Sequence, residues 1–178
     1  MLEIKDLQKI PIGQDCYNAS QELSELTYEK FKLDNFDDNY IGYLGENAVK
    51  EYLGLPFSEF IPYGGDGSID ANYNGLNINI KCKRLPEKYT FIWPKYNYGI
   101  KVDENSKSDI FLLTFYPENN LYKNTILVYG IVFKNDLLKF PKTLFTNKKG
   151  ESGYIWDIPF NEIKFPGKTI EYITTHII

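Results

Sequence analysis

The stretch Gly64-Gly65-Asp66-Gly67-Ser68-Ile69-Asp70-Ala71-Asn72-Tyr73-Asn74-Gly75-Leu76-Asn77-Ile78-Asn79-Ile80-Lys81-Cys82-Lys83-Arg84 decides how this chain is read. At its centre, Asn74-Gly75 is the strongest short-range signal for a two-residue hairpin turn, because such a turn needs left-handed backbone at both positions. The turn sets the register. Tyr73 faces Leu76, Asn72 faces Asn77, Asp70 faces Asn79, Ser68 faces Lys81 and Asp66 faces Lys83. Side chains alternate along a strand, so these last four pairs share one face. The other face carries Ile69, Ala71, Tyr73, Leu76, Ile78, Ile80 and Cys82, apolar throughout. A slip of one residue would invert every one of these placements, so the clean sorting of polarity supports the register.

The polar face calls for an explanation, since Asp and Asn are poor strand residues and a merely solvated face would favour Thr, Lys and Glu. In this register Asp70 and Asn79 are paired directly, with Cβ atoms roughly 4.5–5.5 Å apart, and Lys81 lies diagonal to Asp70. Two oxygen donors and an ammonium converge. Oxygen donors suit Mg²⁺, and an ammonium suits a phosphate oxygen or a metal-activated water.

Outward from the hairpin, Ile41, Leu44, Ala48 and Tyr52 recur at helical spacing, which predicts a helix from about Asp38 to Leu53, started by Asp37 or Asp38 and ended by Gly54 and Pro56. An earlier amphipathic helix is predicted over residues 19–32, with Ser20 as cap and Leu23, Leu26 and Phe31 on one side. Residues 109–116 (DIFLLTFY) and 126–133 (ILVYGIVF) read as strands buried on both faces. A short helix is expected near Asp136–Phe140, and further strands at 154–158 and 169–175. Two helices followed by several strands suggest an α/β or α+β sandwich around one mixed sheet.

The chain has 178 residues and 43% hydrophobic content, enough for a single domain with a sizeable core. A net charge of −4 argues against a protein that coats nucleic acid by bulk charge, but leaves room for a local basic track beside an acidic centre. Two cysteines, Cys16 and Cys82, and one histidine, His176, make a zinc cluster, a disulfide framework or Ser-His and Cys-His catalysis poor readings. No segment is apolar enough to span a membrane and the first residues lack a signal-peptide core, so a cytoplasmic protein is expected.

The hairpin resembles the core motif of the PD-(D/E)xK nucleases, the restriction-endonuclease-like superfamily. Asp70 matches the Asp that begins one strand, and Lys81 the Lys of the acidic-x-Lys triplet on the next. Asn79 stands where Glu or Asp is usual, and Ile69 replaces the Pro of the motif's name. Gly45-Glu46-Asn47-Ala48-Val49 matches the Gly-Glu-x-Ala-like stretch that many members carry on the preceding helix, and the resemblance covers roughly residues 38–133. It implies an α/β/α sandwich with a mixed central sheet of about five strands, and Mg²⁺- or Mn²⁺-dependent hydrolysis of phosphodiester bonds, most of all in DNA. It further implies that Asp70, Glu46, the Asn79 carbonyl and the Ile80 backbone hold metal while Lys81 orients the attacking water or stabilises the transition state. An Asn ligand brings no charge, and Glu46 would supply the missing carboxylate. Homodimers are frequent among relatives that cut both strands.

Each residue has a plainer alternative. Asp70 could simply end the Gly-rich turn, Lys81 could be an exposed strand lysine, Glu46 one more helix acid and Asn79 a structural amide. Asp66 reads as a turn residue. Lys83, Lys88 and Arg84, the only arginine, are candidates for holding phosphates beside the site. The aromatic and lysine-rich residues 85–108 read either as a base-stacking track or as a covering flap. A catalytically degenerate nucleic-acid-binding or structural protein on the same fold, and a protein-interaction domain with a merely solvated hairpin face, are the rival functions.

Overall fold

A computed structural model describes residues 2–31, 36–61, 69–88, 91–92, 97–101, 106–146 and 152–175. Asp66, Ser68, the glycines before Ser68, most of the aromatic track after Lys88, and His176 lie outside the described residues. The strands are β1 (Leu2–Glu3), β2 (Gln8–Pro11), β3 (Ala71–Tyr73), β4 (Leu76–Leu85), β5 (Phe91–Ile92), β6 (Asn97–Ile100), β7 (Ile110–Pro117), β8 (Thr125–Phe133), β9 (Lys142–Thr146) and β10 (Ser152–Pro159). The helices are α1 (Gln14–Phe31), α2 (Phe36–Tyr52), α3 (Lys134–Leu137) and α4 (Thr169–Thr175).

A five-stranded mixed sheet in the order β2-β8-β7-β4-β3 organises the molecule. Its strands β7 and β8 are buried almost throughout, as their continuous apolar runs predict. The hairpin β3–β4 is antiparallel with Asn72 opposite Asn77 and Tyr73 opposite Leu76, and Asn74 and Gly75 both have positive φ, 50° and 85°. β4 then runs parallel to β7 from Ile78↔Ile110 to Leu85↔Pro117. A parallel neighbour needs a long crossover. Here the described residues of the connection form β5 and β6, and none of them is helical.

Alternation along β4 sends its residues into two cores. Ile78 and Ile80 pack with Leu44, Ala48 and Val49 of α2, Cys16 of α1, and Ile170 and Ile173 of α4. Leu85, together with Phe111, Leu113 and Phe115 of β7, packs with Tyr98, Trp156 and Ile158 of a second sheet of order β6-β10-β9. Among the described residues, helices α1, α2 and α4 therefore cover one face, while the three-stranded sheet and the single turn α3 cover the other. The layers run helix, sheet, sheet, where an α/β/α order was expected. The chain from Lys142 to Pro159 supplies β9 and β10 of the second sheet where a second helical layer was expected.

Three local expectations are corrected. α1 begins at Gln14, so Ser20 lies inside it as a fully buried residue, not a cap. Its buried stripe is Cys16, Ser20, Leu23, Ser24 and Thr27, mostly small residues that let α1 and α2 approach closely, while Leu26 and Phe31 are 42% and 43% exposed. Residues 169–175 form a helix, not a strand: their β-branched residues favour extended backbone, but burying Ile170 and Ile173, three apart, requires a helical turn. α2 ends as its Gly54 signal predicts, with the Leu55 N–H donating to the Lys50 carbonyl at 2.8 Å and the Gly54 N–H to the Glu51 carbonyl at 3.1 Å.

Candidate active site

The hairpin departs from the ladder at its base. Ala71 is the register partner of Ile78, yet the Asp70 N–H also donates to the Ile78 carbonyl, at 2.9 Å. Two residues thus face one, the arrangement of a β-bulge, which turns the side chain of the extra residue. Asp70 is consequently not opposite Asn79. Its carboxylate Oδ2 accepts instead from the Ile80 N–H at 2.6 Å. Backbone groups of a strand residue point to one side, so the Ile80 carbonyl faces the same edge of β4 as its N–H, beyond the last residue paired with β3.

Helix α2 crosses the sheet face next to this edge, and Gly45 sets how close it comes. A Cβ at Gly45 would lie 2.4 Å from the Cys82 Cβ and 2.7 Å from its Sγ. Only glycine allows this contact, and it brings the next residue, Glu46, beside the hairpin. Glu46 and Lys50 form an i,i+4 ion pair at 3.1 Å with side chains 15% and 12% exposed. Ser58 Oγ donates to the same carboxylate oxygen, Glu46 Oε1, and accepts from Lys50 Nζ at 2.9 Å. Asn47, fully buried, fixes this corner: its Oδ1 accepts from the Ser58 N–H at 2.8 Å and its Nδ2 donates to Ser20 Oγ at 3.0 Å.

Two adjoining clefts open here and share Tyr43, Glu46 and Asp70. One, of about 400 Å³, is also lined by Lys50, Ser58 and Glu59. The other, of about 280 Å³, is also lined by Asp38, Ile80, Lys81 and Cys82. The structure therefore brings Asp70, Glu46, Ile80 and Lys81 to one place. Hairpin register alone would not have put Glu46 there, whereas the Gly-Glu-x-Ala stretch did single it out. Lys50 and Ser58 were missed. The Glu46–Lys50 spacing was a visible signal for the first, and nothing local pointed to Ser58.

Other candidates stand elsewhere. Asn79, 2% exposed, is the register partner of Phe111 on the face turned to the second sheet and lines neither cleft. Alternation along β4 is the reason, since it gives Asn79 the face of Lys83 and Leu85, while the bulge separately takes Asp70 off the position across from it. Asn72 and Asn77 brace the turn: Asn72 Nδ2 donates to Asn77 Oδ1 at 2.7 Å, and Asn72 Oδ1 accepts from the Gly75 N–H at 3.2 Å. Lys83 and Arg84, neighbours on a strand, point to opposite faces. Lys83 Nζ sits 4.7 Å from the centre of the Tyr98 ring in the second layer, where burial lowers its pKa against the opposing pull of Asp157. Arg84 lies between three carboxylates, Glu118 at 3.5 Å, Asp37 at 3.8 Å and Asp38 at 4.0 Å, and ties the start of α2 to the sheet. Lys88 is exposed in the turn after β4, away from both clefts. None of these three basic residues joins the cleft.

The donor set fits a hard divalent cation. Asp70 and Glu46 offer carboxylates and Ile80 a carbonyl, the oxygen ligands that Mg²⁺ takes, and Mg²⁺ keeps several waters in its shell. Among the described residues no group of three His, Cys, Asp or Glu side chains gathers, so water would complete the coordination. No helix of the described residues is long and apolar enough to cross a membrane. Comparison of the chain with protein families, with curated proteins and with solved structures finds no match in any of the three.

Proposed function

We propose that this protein is a metal-dependent nuclease that hydrolyses phosphodiester bonds, with DNA as its substrate, on a restriction-endonuclease-like arrangement of α2, β3 and β4. The observation that carries the reading is the bulged Asp70, whose carboxylate is clamped by the Ile80 N–H in the cleft that Glu46 and Lys81 also line. Asp70, Glu46 and the Ile80 carbonyl would hold Mg²⁺ or Mn²⁺. Such an ion supplies a water of lowered pKa and positive charge against the scissile phosphate. The Ile80 N–H keeps the Asp70 carboxylate in one orientation. Lys81 lines the same cleft, and its ammonium would hold the attacking water or a phosphate oxygen in place as negative charge grows.

A second reading, a nucleic-acid-binding protein that does not cut, draws on the ion pair that engages Glu46 with Lys50 and on the placement of Asn79 outside the cleft. Incubation with plasmid and branched DNA in Mg²⁺ or Mn²⁺ separates the two. The nuclease reading expects metal-dependent cleavage that Lys81→Ala lowers by about a hundredfold or more, the usual scale for a group that stabilises transition-state charge. Cleavage by Lys81→Ala at the wild-type rate contradicts the assignment. Salt-sensitive DNA binding with no cleavage in either ion supports the second reading.

A further inference from the structure

The pairing of Glu46 with Lys50 has a direct bearing on how a cation would enter, and the inference rests on the site proposed above. Both donors on Glu46, the Lys50 ammonium and the Ser58 hydroxyl, fall on one oxygen, Oε1. Lys50 also donates to Ser58 Oγ at 2.9 Å, which closes a three-membered ring of contacts. With side chains only 12% and 15% exposed, neither charge is well hydrated, so each depends on the other for its compensation. Ser58 is itself held by its backbone N–H on buried Asn47, so the ring is anchored on α2 and on the segment that follows it. Lys50, Glu46 and Asp70 line a single cleft.

We propose that Lys50 is a resident counter-ion that occupies Glu46 until a divalent cation displaces it. Glu46 cannot serve both at full strength: a cation shared with Asp70 must weaken the Lys50 contact and must bind against a nearby ammonium. Glu46 remains compensated without metal, and metal affinity is held down by one internal positive charge. Once displaced, the Lys50 ammonium stays on the cleft wall and is available to a phosphate oxygen, so cation and nucleic acid bind cooperatively.

Mn²⁺ binding to the intact protein, followed by the electron paramagnetic resonance signal of free Mn²⁺, tests this without any turnover. Lys50→Gln is expected to bind Mn²⁺ roughly tenfold more tightly than wild type, on the scale of removing one partly screened like charge. Lys50→Arg, which keeps the charge and serves if the glutamine variant does not fold, is expected to bind within about threefold of wild type, and Asp70→Asn is expected to lose binding. Equal or weaker binding by a folded Lys50→Gln, with binding still dependent on Asp70, overturns the counter-ion role and leaves the metal site standing. So does tighter binding by Lys50→Arg. Binding unaffected by Asp70→Asn, or absent from wild type and Lys50→Gln alike, removes the metal site and the inference with it.

Discussion

Asp70 owes its orientation to the backbone of the strand beside it. Its Oδ2 accepts from the Ile80 N–H at 2.6 Å, a charge-assisted bond that fixes the carboxylate before any ligand arrives. Gly45 works at the same scale by absence. Because a Cβ there would fall 2.4 Å from that of Cys82, Gly45→Ala must push α2 away from β4 and carry Glu46 with it. We expect Gly45→Ala to cost about 1–3 kcal/mol of stability, the usual range for overpacking, as read from urea unfolding. Loss of less than about half a kilocalorie would mean that α2 is not held at this distance. Asn47 is the other residue on which the corner depends. Its amide joins Ser58 to Ser20 across two helices and a following segment. Asn47→Ala leaves a buried hydroxyl and a backbone N–H to find other partners, at about 1–3 kcal/mol. It should speed hydrogen exchange at the Ser58 amide specifically, and unchanged protection there would contradict the role.

At the scale of elements, the hairpin shows what a sequence states and what it withholds. Asn74-Gly75 names its own turn, and the structure has both residues at positive φ with the expected pairs Tyr73↔Leu76 and Asn72↔Asn77. The apolar strip Ala71, Ile78 and Ile80 packs under α2 and its neighbours as alternation requires. The bulge at Asp70 was not legible, because two residues facing one depends on where the chain before Asp70 is led, and the Gly-rich stretch before it does not specify that. Much of the polar face proves to be turn bracing by Asn72 and Asn77, which explains Asn in a strand without invoking a ligand. Lys83 and Arg84 could not both have faced the cleft, and strict alternation already said so. α4 was misread for a different reason: Thr and Ile at 169–175 favour strands locally, and only the tertiary demand to bury Ile170 and Ile173 together decides for a helix. The short spacing of Glu46 and Lys50 shows the converse, a pair readable from sequence whose neighbour Ser58 is supplied by the fold.

At the scale of the whole molecule, one sheet separates two cores, and the candidate site sits at an edge that the helical core supports. This placement makes stability sensitive to alkali. Burial pushes the thiols of Cys16 and Cys82 from 9.0 up to about 12, and the Tyr17 hydroxyl from 10.0 to about 12. The unfolded chain therefore releases these protons at lower pH than the folded one. Their contribution is fully present below about pH 9 and is lost as pH rises through 12. Stability should fall between pH 9 and 11, and Cys16→Ala should flatten that fall in urea titrations; a slope unchanged by the substitution would contradict the account.

The proposed chemistry binds these scales together, since it requires the bulge, the approach of α2 and the open edge of β4 at once. Conversion of supercoiled plasmid to nicked or linear form, measured against Mg²⁺ concentration for wild type and Asp70→Asn, tests it most directly. Asp70→Asn keeps the shape and an acceptor for the Ile80 N–H, so the fold and its unfolding midpoint should be preserved. The account predicts metal-dependent nicking by wild type and at least about a hundredfold less by Asp70→Asn. Equal nicking by the two proteins, or none by wild type at any Mg²⁺ or Mn²⁺ concentration, would contradict it.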